Sequence, residues 1–121
     1  MGYRERKYSF KRSFGYAITG VWYGLKKERH MQFHIAATIS VTILGLLTRI
    51  TLAEWRTIWL SIGLVISLEL VNTAIEKCVD LVTQEYHPIA KIAKDVAAGA
   101  VLVAATVSVL VGGSIFLPYW F

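Results

Sequence analysis

The chain is short and strongly apolar, which excludes an ordinary soluble domain. Its 121 residues are 55% hydrophobic and only 17% charged, with a mean hydropathy of +0.52, and a soluble domain of this size has too little interior to bury that much apolar surface. We therefore predict a single all-α integral membrane domain over residues 1–121. The formal net charge of +5 comes from basic residues that flank apolar segments, so the expected partner is a membrane with anionic headgroups and not nucleic acid.

The first predicted element is a surface helix over residues 9–29. Apolar side chains recur at helical spacing from Phe10 to Leu25, and lysines and arginines stand near both ends. This pattern is typical of an amphipathic helix that lies in the membrane interface instead of crossing the bilayer.

Three charge-poor segments follow, and each is predicted to cross the bilayer. The first covers 30–49, and its residues 30–48 contain no formal charge and reach about 28 Å as a helix, close to the hydrocarbon thickness. The second covers 55–83 and becomes polar after residue 68, so we expect a cytoplasmic extension at its inner end. The third covers 89–118, follows a proline that suits a first helical turn, and ends in aromatic residues that anchor at the interface.

The lysines and arginines predict the orientation. Eight of the thirteen lie in residues 1–29 and three more at or after the inner end of the second span, whereas only two flank the loop between the first two spans. Because cytoplasmic segments carry the excess of positive charge, we predict that the N-terminus and the loop after Asp80 face the cytoplasm.

A narrow polar stripe marks the inner end of the second span. Glu69, Asn72, Glu76 and Asp80 fall within about 80° of one another on a helix. A carboxylate at the bilayer centre costs about 2.5–3.5 kcal/mol on insertion scales, so Glu69 is expected to face protein, water or a ligand. Two structural alternatives stay open: a protonated glutamate that joins helices of an oligomer, and a solvated acidic face neutralised by nearby lysines.

The start of the third helix adds a basic and an acidic side chain. Carboxylate oxygens suit Mg²⁺, and Lys94, next to Asp95, suits a phosphate beside such a metal, although a lysine at a membrane edge also anchors by snorkelling. His30 and His34 share a helix face but lack acidic neighbours on that turn, so we do not expect a metal pair there. These features fit an enzyme that moves a phosphoryl group onto a lipid alcohol, or a small cation-coupled transporter that uses Glu69.

The absence of several catalytic and nucleotide-binding motifs reduces the number of possible enzyme classes. The sequence contains no GxxxxGK[ST] loop, no GxGxxG after a strand, no GxSxG and no HExxH. The sequence therefore does not support a nucleotide site of the Walker or Rossmann type, a serine hydrolase or a zinc protease. A phosphoryl-transferring enzyme explains why the stripe continues with acidic residues from Glu69 to Asp80. A transporter that uses Glu69 does not explain these further acidic residues.

Longer motifs carry a family resemblance. The stretch ELVNTAIEKCVDLV, followed by EYHPIAKIAKDVAAGAVL and preceded by GYAITGVWYGLKKE in the surface helix, resembles the signature of the prokaryotic diacylglycerol kinase family over nearly the whole chain. It is most similar to the Gram-positive subgroup that phosphorylates undecaprenol. The resemblance implies a bacterial plasma-membrane kinase that uses ATP and Mg²⁺, works as a homotrimer with active sites shared between subunits, and phosphorylates undecaprenol or, alternatively, diacylglycerol.

The resemblance also implies roles for individual residues. Glu69 matches the general base that takes the proton of the lipid hydroxyl, and Glu28 and Glu76 match the Mg²⁺ ligands. Asn72 and Asp80 match further polar positions of the site. The positions that match ATP-binding residues are Tyr16, Glu28, Glu76, Glu85, Tyr86, His87, Lys94 and Asp95.

Departures from the family pattern concern the lipid. Members that phosphorylate diacylglycerol tend to carry a carboxylate at the position of His34 and a serine at that of Ala98. An arginine common near position 9 is replaced by Ser9, and Arg12 is the nearest substitute. These differences favour a polyprenol as the substrate.

Overall fold

The computed structural model describes residues 9–121 as four helices and their connections. They are α1 (Phe10–Lys27), α2 (Arg29–Thr48), α3 (Leu52–Val82) and α4 (Pro88–Trp120). Within the described residues, α2, α3 and α4 are long and apolar enough to cross a membrane, which confirms the predicted all-α class and its three apolar helices. The N-terminus and the basic residues of 1–8, on which part of the predicted orientation rests, lie outside the described residues.

Local capping sets where α3 begins, at Leu52 instead of residue 55. Thr51 Oγ1 accepts a hydrogen bond from the Glu54 N–H at 3.1 Å, and Glu54 Oε1 accepts one from the Thr51 N–H at 2.9 Å. This reciprocal capping box satisfies N–H groups that have no partner inside the helix, so the helix starts in what sequence patterning assigned to a loop.

A single extended residue joins α1 to α2. Glu28 has φ −95° and ψ 123°, and its N–H donates to the carbonyl of Gly24 at 3.3 Å. Gly24 is buried against α3, where a Cβ atom would overlap Leu70 Cδ2. The absence of a side chain at Gly24 therefore allows α1 to pack directly on α3.

The turn between α2 and α3 packs into the core. Arg49 adopts the left-handed conformation with φ 59° and ψ 52°, and the N–H groups of Arg49 and Ile50 both donate to the Gly45 carbonyl, at 3.0 and 3.3 Å. This helix ending turns the Ile50 side chain inward, where it joins a cluster with Ile58 and two residues of α4, Ile115 and Phe116.

Helices α3 and α4 form an antiparallel hairpin that is the main packing unit of the chain. Near the start of α3, the Tyr119 hydroxyl donates to Glu54 Oε1 at 2.5 Å. Near the end of α3, Lys94 Nζ donates to Asp80 Oδ1 at 2.6 Å. Parts of all four helices meet at the end of the bundle that holds Glu28, Asp80 and Lys94. We call this the site end.

Candidate active site

The buried polar residues of α3 lie close to the site end. Among the described residues, the buried polar or charged side chains are Glu69, Asn72 and Thr73, with 4%, 7% and 7% exposure. They occupy adjacent turns of one helix face. The helix thus turns a polar surface toward its neighbours over a short stretch of an otherwise apolar span.

Glu69 contacts a side chain of α2. His34 Nε2 lies 3.0 Å from Glu69 Oε1, and the two side chains are 14% and 5% exposed. A buried carboxylate is stable only when it is paired and hydrogen-bonded, so His34 is the partner that makes the burial of Glu69 tolerable in this fold.

Asn72 links the buried stretch to Glu76. Asn72 Nδ2 donates to Glu76 Oε1 at 3.2 Å, whereas Asn72 Oδ1 is buried and, within the described part of the chain, has no hydrogen-bond partner. A buried acceptor without a partner is unfavourable. The amide oxygen and the neighbouring carboxylate together form an oxygen-rich surface.

This surface fits Mg²⁺ that arrives with a phosphate substrate. Residues 9–121 contain no group of three or more His, Cys, Asp or Glu side chains that could hold a metal by themselves. Mg²⁺ needs only one or two carboxylates, because water and substrate phosphates complete its octahedron. The orphaned Asn72 oxygen beside Glu76 is therefore the kind of donor set that a nucleotide-bound Mg²⁺ uses.

A cavity of about 370 Å³ is lined by residues of α1 and α3. Its walls include Tyr23 and Gly24 of α1 and Thr73 and Lys77 of α3. The Lys77 ammonium lies 5.9 Å from the centroid of the Tyr23 ring and within electrostatic range of Glu28 and Asp80. Lys77 thus supplies positive charge near two predicted site carboxylates.

Lys94 and Asp95, near the start of α4, have separate partners. Lys94 bonds to Asp80 of α3, at 2.6 Å, whereas Asp95 accepts from Lys91 Nζ of its own helix at 2.5 Å. The structure therefore brings Lys94 and Asp80 together across the hairpin, and it separates Lys94 from its sequence neighbour Asp95.

The other predicted nucleotide-binding residues lie on exposed surfaces. Glu85, Tyr86 and His87 form most of the exposed connection between α3 and α4, where His87 Nδ1 accepts the Ile89 N–H at 3.1 Å and caps α4. Tyr16 lies on the exposed surface of α1, as does Arg12, the predicted substitute for the missing arginine. Because all of these residues are exposed, none belongs to the buried stretch around Glu69.

An apolar groove of about 460 Å³ runs between α2, α3 and α4. His34 and Val65 lie on its wall near the Glu69 level, and Phe116 and Trp120 lie on its wall toward the opposite end of the bundle. Its size and lining suit a hydrocarbon chain, and His34, which contacts Glu69, forms part of its wall.

The contact between His34 and Glu69 was not predicted from the sequence. Periodicity placed His34 on a helix face with His30, but it gave no partner on another helix. A usable signal was present, because His34 is the sole titratable side chain in residues 31–48, and a polar side chain inside a span normally has a partner in the protein interior.

Comparison with known proteins places this architecture in a family. The family model described as prokaryotic diacylglycerol kinase matches residues 15–116. The undecaprenol kinase of Bacillus subtilis is 49% identical over 116 residues, which cover 96% of this chain and 94% of the relative. The diacylglycerol kinase of Synechocystis sp. is 45% identical over 107 residues, 88% of this chain and 61% of the relative.

A more distant relative shows the same kinship over a shorter stretch. The diacylglycerol kinase of Escherichia coli (strain K12) is 44% identical over 50 residues, which cover 41% of each protein. The family match spans most of the chain and confirms the resemblance expected from the motifs. The chain therefore belongs to the prokaryotic diacylglycerol kinase family, a family of ATP-dependent lipid kinases of the membrane.

Proposed function

We propose that this chain transfers the γ-phosphoryl group of ATP to undecaprenol and produces undecaprenyl phosphate. The observation that carries the proposal is the buried Glu69 carboxylate, held by His34 at 3.0 Å beside an apolar groove. This arrangement places a proton acceptor where the hydroxyl of a long-chain alcohol would enter. The similarity to the Bacillus subtilis undecaprenol kinase supports the choice of lipid.

Glu69 is the proposed general base. The lipid oxygen forms a bond to the γ-phosphorus, the bond from that phosphorus to the β–γ bridging oxygen breaks, and Glu69 accepts the hydroxyl proton while ADP leaves. Such a transfer depends mainly on positioning and charge stabilisation. A base must lie within hydrogen-bond reach of the proton that it removes, and a carboxylate beside the groove meets this requirement.

Glu28 and Glu76 are the proposed Mg²⁺ ligands. The metal neutralises charge on the β- and γ-phosphates when it is bound. Support comes from the Asn72 amide, which donates to Glu76 and whose buried oxygen has no hydrogen-bond partner among residues 9–121.

The nucleotide is proposed to bind at the site end. Lys94 approaches the phosphates by exchanging its bond to Asp80 for one to a phosphate oxygen, a charge-assisted interaction. The remaining proposed nucleotide contacts are Tyr16 on α1, Glu85, Tyr86 and His87 on the connection, and Asp95 on α4. Arg12 on α1 is proposed as a further residue of the site. The exposure of these residues leaves them accessible to a nucleotide from solution.

The proposed assembly is a homotrimer in the bacterial plasma membrane with the N-terminus and the active site cytoplasmic. Helix α1 is proposed to lie in the membrane interface, since Phe10, Phe14, Ile18 and Trp22 expose apolar surface and lysines flank it. Subunits are proposed to share active sites, because one chain encloses the groove and the cavity only in part.

Diacylglycerol is the second candidate substrate. It is favoured by the diacylglycerol kinases among the relatives, including that of Synechocystis sp.. The alternative of a cation-coupled transporter finds no support in a family of kinases.

A competition between the two lipids tests the proposal. Purified protein in detergent micelles receives labelled ATP with undecaprenol and diacylglycerol side by side. We expect preferential transfer to undecaprenol, and we expect Glu69→Gln to lower kcat by about 10²- to 10⁴-fold, the range that general-base catalysis supplies, while MgATP binding persists.

Glu54→Gln is the matched control, because it makes the same change on the same helix at the end remote from the site, and glutamine preserves the capping box. Preference for diacylglycerol would keep the kinase and overturn the assigned substrate. Absence of transfer to either lipid would overturn the proposed function.

A further inference from the structure

The hydrogen bond between His34 and Glu69 joins two membrane-crossing helices at the point where the proposed reaction takes place. His34 belongs to α2 and Glu69 to α3, their closest polar atoms are 3.0 Å apart, and both side chains are largely withdrawn from solvent. Within the described residues, His34 is the hydrogen-bond partner that the structure gives to the Glu69 carboxylate.

The chemistry of the pair determines which atom donates. An ionised carboxylate can only accept hydrogen bonds, whereas a neutral imidazole carries one N–H donor and one bare nitrogen. The atom that faces Glu69 Oε1 is Nε2, so Nε2 carries the proton when Glu69 is ready to act as a base. The other carboxylate oxygen, Oε2, is then left for the substrate hydroxyl.

The surroundings of His34 hold the imidazole in place. The Phe33 ring meets it edge-on, with centroids 5.7 Å apart and planes at 80°. His34 also forms part of the wall of the apolar groove. A side chain that touches both the base and the groove can fix the carboxylate relative to a bound lipid.

We propose that His34 is a positioning residue for lipid phosphorylation, which donates from Nε2 to Glu69 Oε1 and thereby aims Oε2 at the lipid hydroxyl. The inference rests on the proposed function of Glu69 as the base. It assigns to His34 an effect on the rate of the chemical step and not on the binding of ATP.

Steady-state kinetics separate these effects. We expect His34→Ala to lower kcat for the lipid by about 10- to 100-fold, the range that a hydrogen bond to a charged group supports. The KM for MgATP should stay within about twofold, because a contact that acts on the transition state lowers kcat without changing ground-state binding. His34→Gln should recover part of the loss, since a carboxamide N–H can replace the imidazole donor.

His30→Ala is the matched control. His30 lies one turn before His34 on the same helix and is exposed, so its removal should leave kcat unchanged. Equal losses in the His30 and His34 variants would indicate a general disturbance of α2 and would overturn the positioning role.

Nitrogen NMR of the wild-type protein tests the hydrogen bond without turnover. With ¹⁵N-labelled histidine in detergent micelles, the His34 resonance, assigned by its loss in His34→Gln, should show a protonated Nε2 that shifts in Glu69→Ala. A bare Nε2 in the wild type, or a kcat for His34→Ala within about threefold of the wild type, would overturn the inference alone. A wild-type protein that phosphorylates neither lipid would overturn the proposed function and this inference with it.

Discussion

At the residue scale, the acidic and amide side chains in the polar stripe of α3 are tolerated because most of them have a hydrogen-bond partner. Glu69 is paired with His34, Asn72 with Glu76, and Asp80 with Lys94. The exception is Asn72 Oδ1, which is buried and, in the part of the chain that the structure describes, unpaired. Since a polar group buried without a partner is costly, that one atom is the best local indication that a further ligand completes the site.

Lys94 gives a prediction at this scale. If it exchanges Asp80 for a phosphate oxygen, Lys94→Gln should raise the KM for MgATP by about 10- to 100-fold, because hydrogen bonds to charged groups contribute about 1.5–3 kcal/mol. The measurement is the KM for MgATP at saturating lipid.

Lys91→Gln provides the control one turn earlier on α4. Its ion pair with Asp95 is an exposed i,i+4 pair, with side chains 59% and 62% exposed, and such pairs contribute about 0–1 kcal/mol. A change in KM as large as that of Lys94→Gln would contradict a specific role for Lys94.

The sequence revealed the stripe of polar residues but not their partners. Periodicity gives the angle of each residue around its own helix, so Glu69, Asn72, Glu76 and Asp80 could be placed on one face in advance. The register between helices does not follow from that angle. This register brings His34 to Glu69, and it pairs Lys94 with Asp80.

At the scale of the helix, the charge-free runs were sufficient to predict three long apolar helices. The minimum length of each is set by bilayer thickness, and an interruption by charge is easy to see in the sequence. The start of α3 was harder to place, because the residues from Thr51 to Glu54 can form either a loop or a capping box. The box is formed, so the helix begins at Leu52.

Gly45 gives a prediction for the contact between α2 and α3. A Cβ atom at this position would lie 2.6 Å from Trp55 Cη2 and 2.8 Å from Cζ2. Because an indole ring is rigid, it cannot yield as a flexible side chain would, and we expect Gly45→Ala to destabilise the bundle by about 1–3 kcal/mol. The thermal midpoint of helix loss in micelles, followed by circular dichroism, measures the effect.

Gly63→Ala is the companion variant on α3, where nothing lies within 4 Å of an added Cβ atom. Alanine in a helix interior is favoured over glycine by about 0.5–1 kcal/mol, so this variant should be as stable as the wild type or slightly more stable. A destabilisation equal to that of Gly45→Ala would show that the loss does not arise from the Trp55 contact.

At the scale of the whole molecule, one chain leaves much of its apolar surface uncovered. Exposed large apolar side chains occur along all four helices, as expected of helices that face lipid or one another. With 31 residues, α3 is about 46 Å long and exceeds the hydrocarbon thickness of about 30 Å. That surplus is long enough for the later residues of the polar stripe to extend beyond the hydrocarbon at one end.

Mixing inactive variants tests the proposed sharing of sites between subunits. Glu28→Gln and Glu69→Gln should each be inactive, but trimers reassembled from a mixture should recover part of the kinase activity if Glu28 and Glu69 of one site come from different chains. Lipid phosphorylation after joint unfolding and reassembly is the measurement.

A second mixture, Glu69→Gln with Glu76→Gln, is the matched control, because both changes lie on α3 and no subunit then supplies an intact α3. It should stay inactive. Recovery in both mixtures, or in neither, would contradict sites that combine α3 of one chain with Glu28 of another.

The single-residue joint at Glu28 has a mechanical consequence. Two soft torsion angles of one residue set the angle between α1 and α2, and the same residue carries a carboxylate that we assign to the metal. If α1 lies in the headgroup layer, bilayer thinning, curvature or lateral pressure can tilt it. Because no further residue separates α1 from α2, such a tilt also rotates the Glu28 carboxylate. The rate of phosphoryl transfer is then expected to vary with the thickness, curvature and lateral pressure of the membrane that contains the lipid substrate.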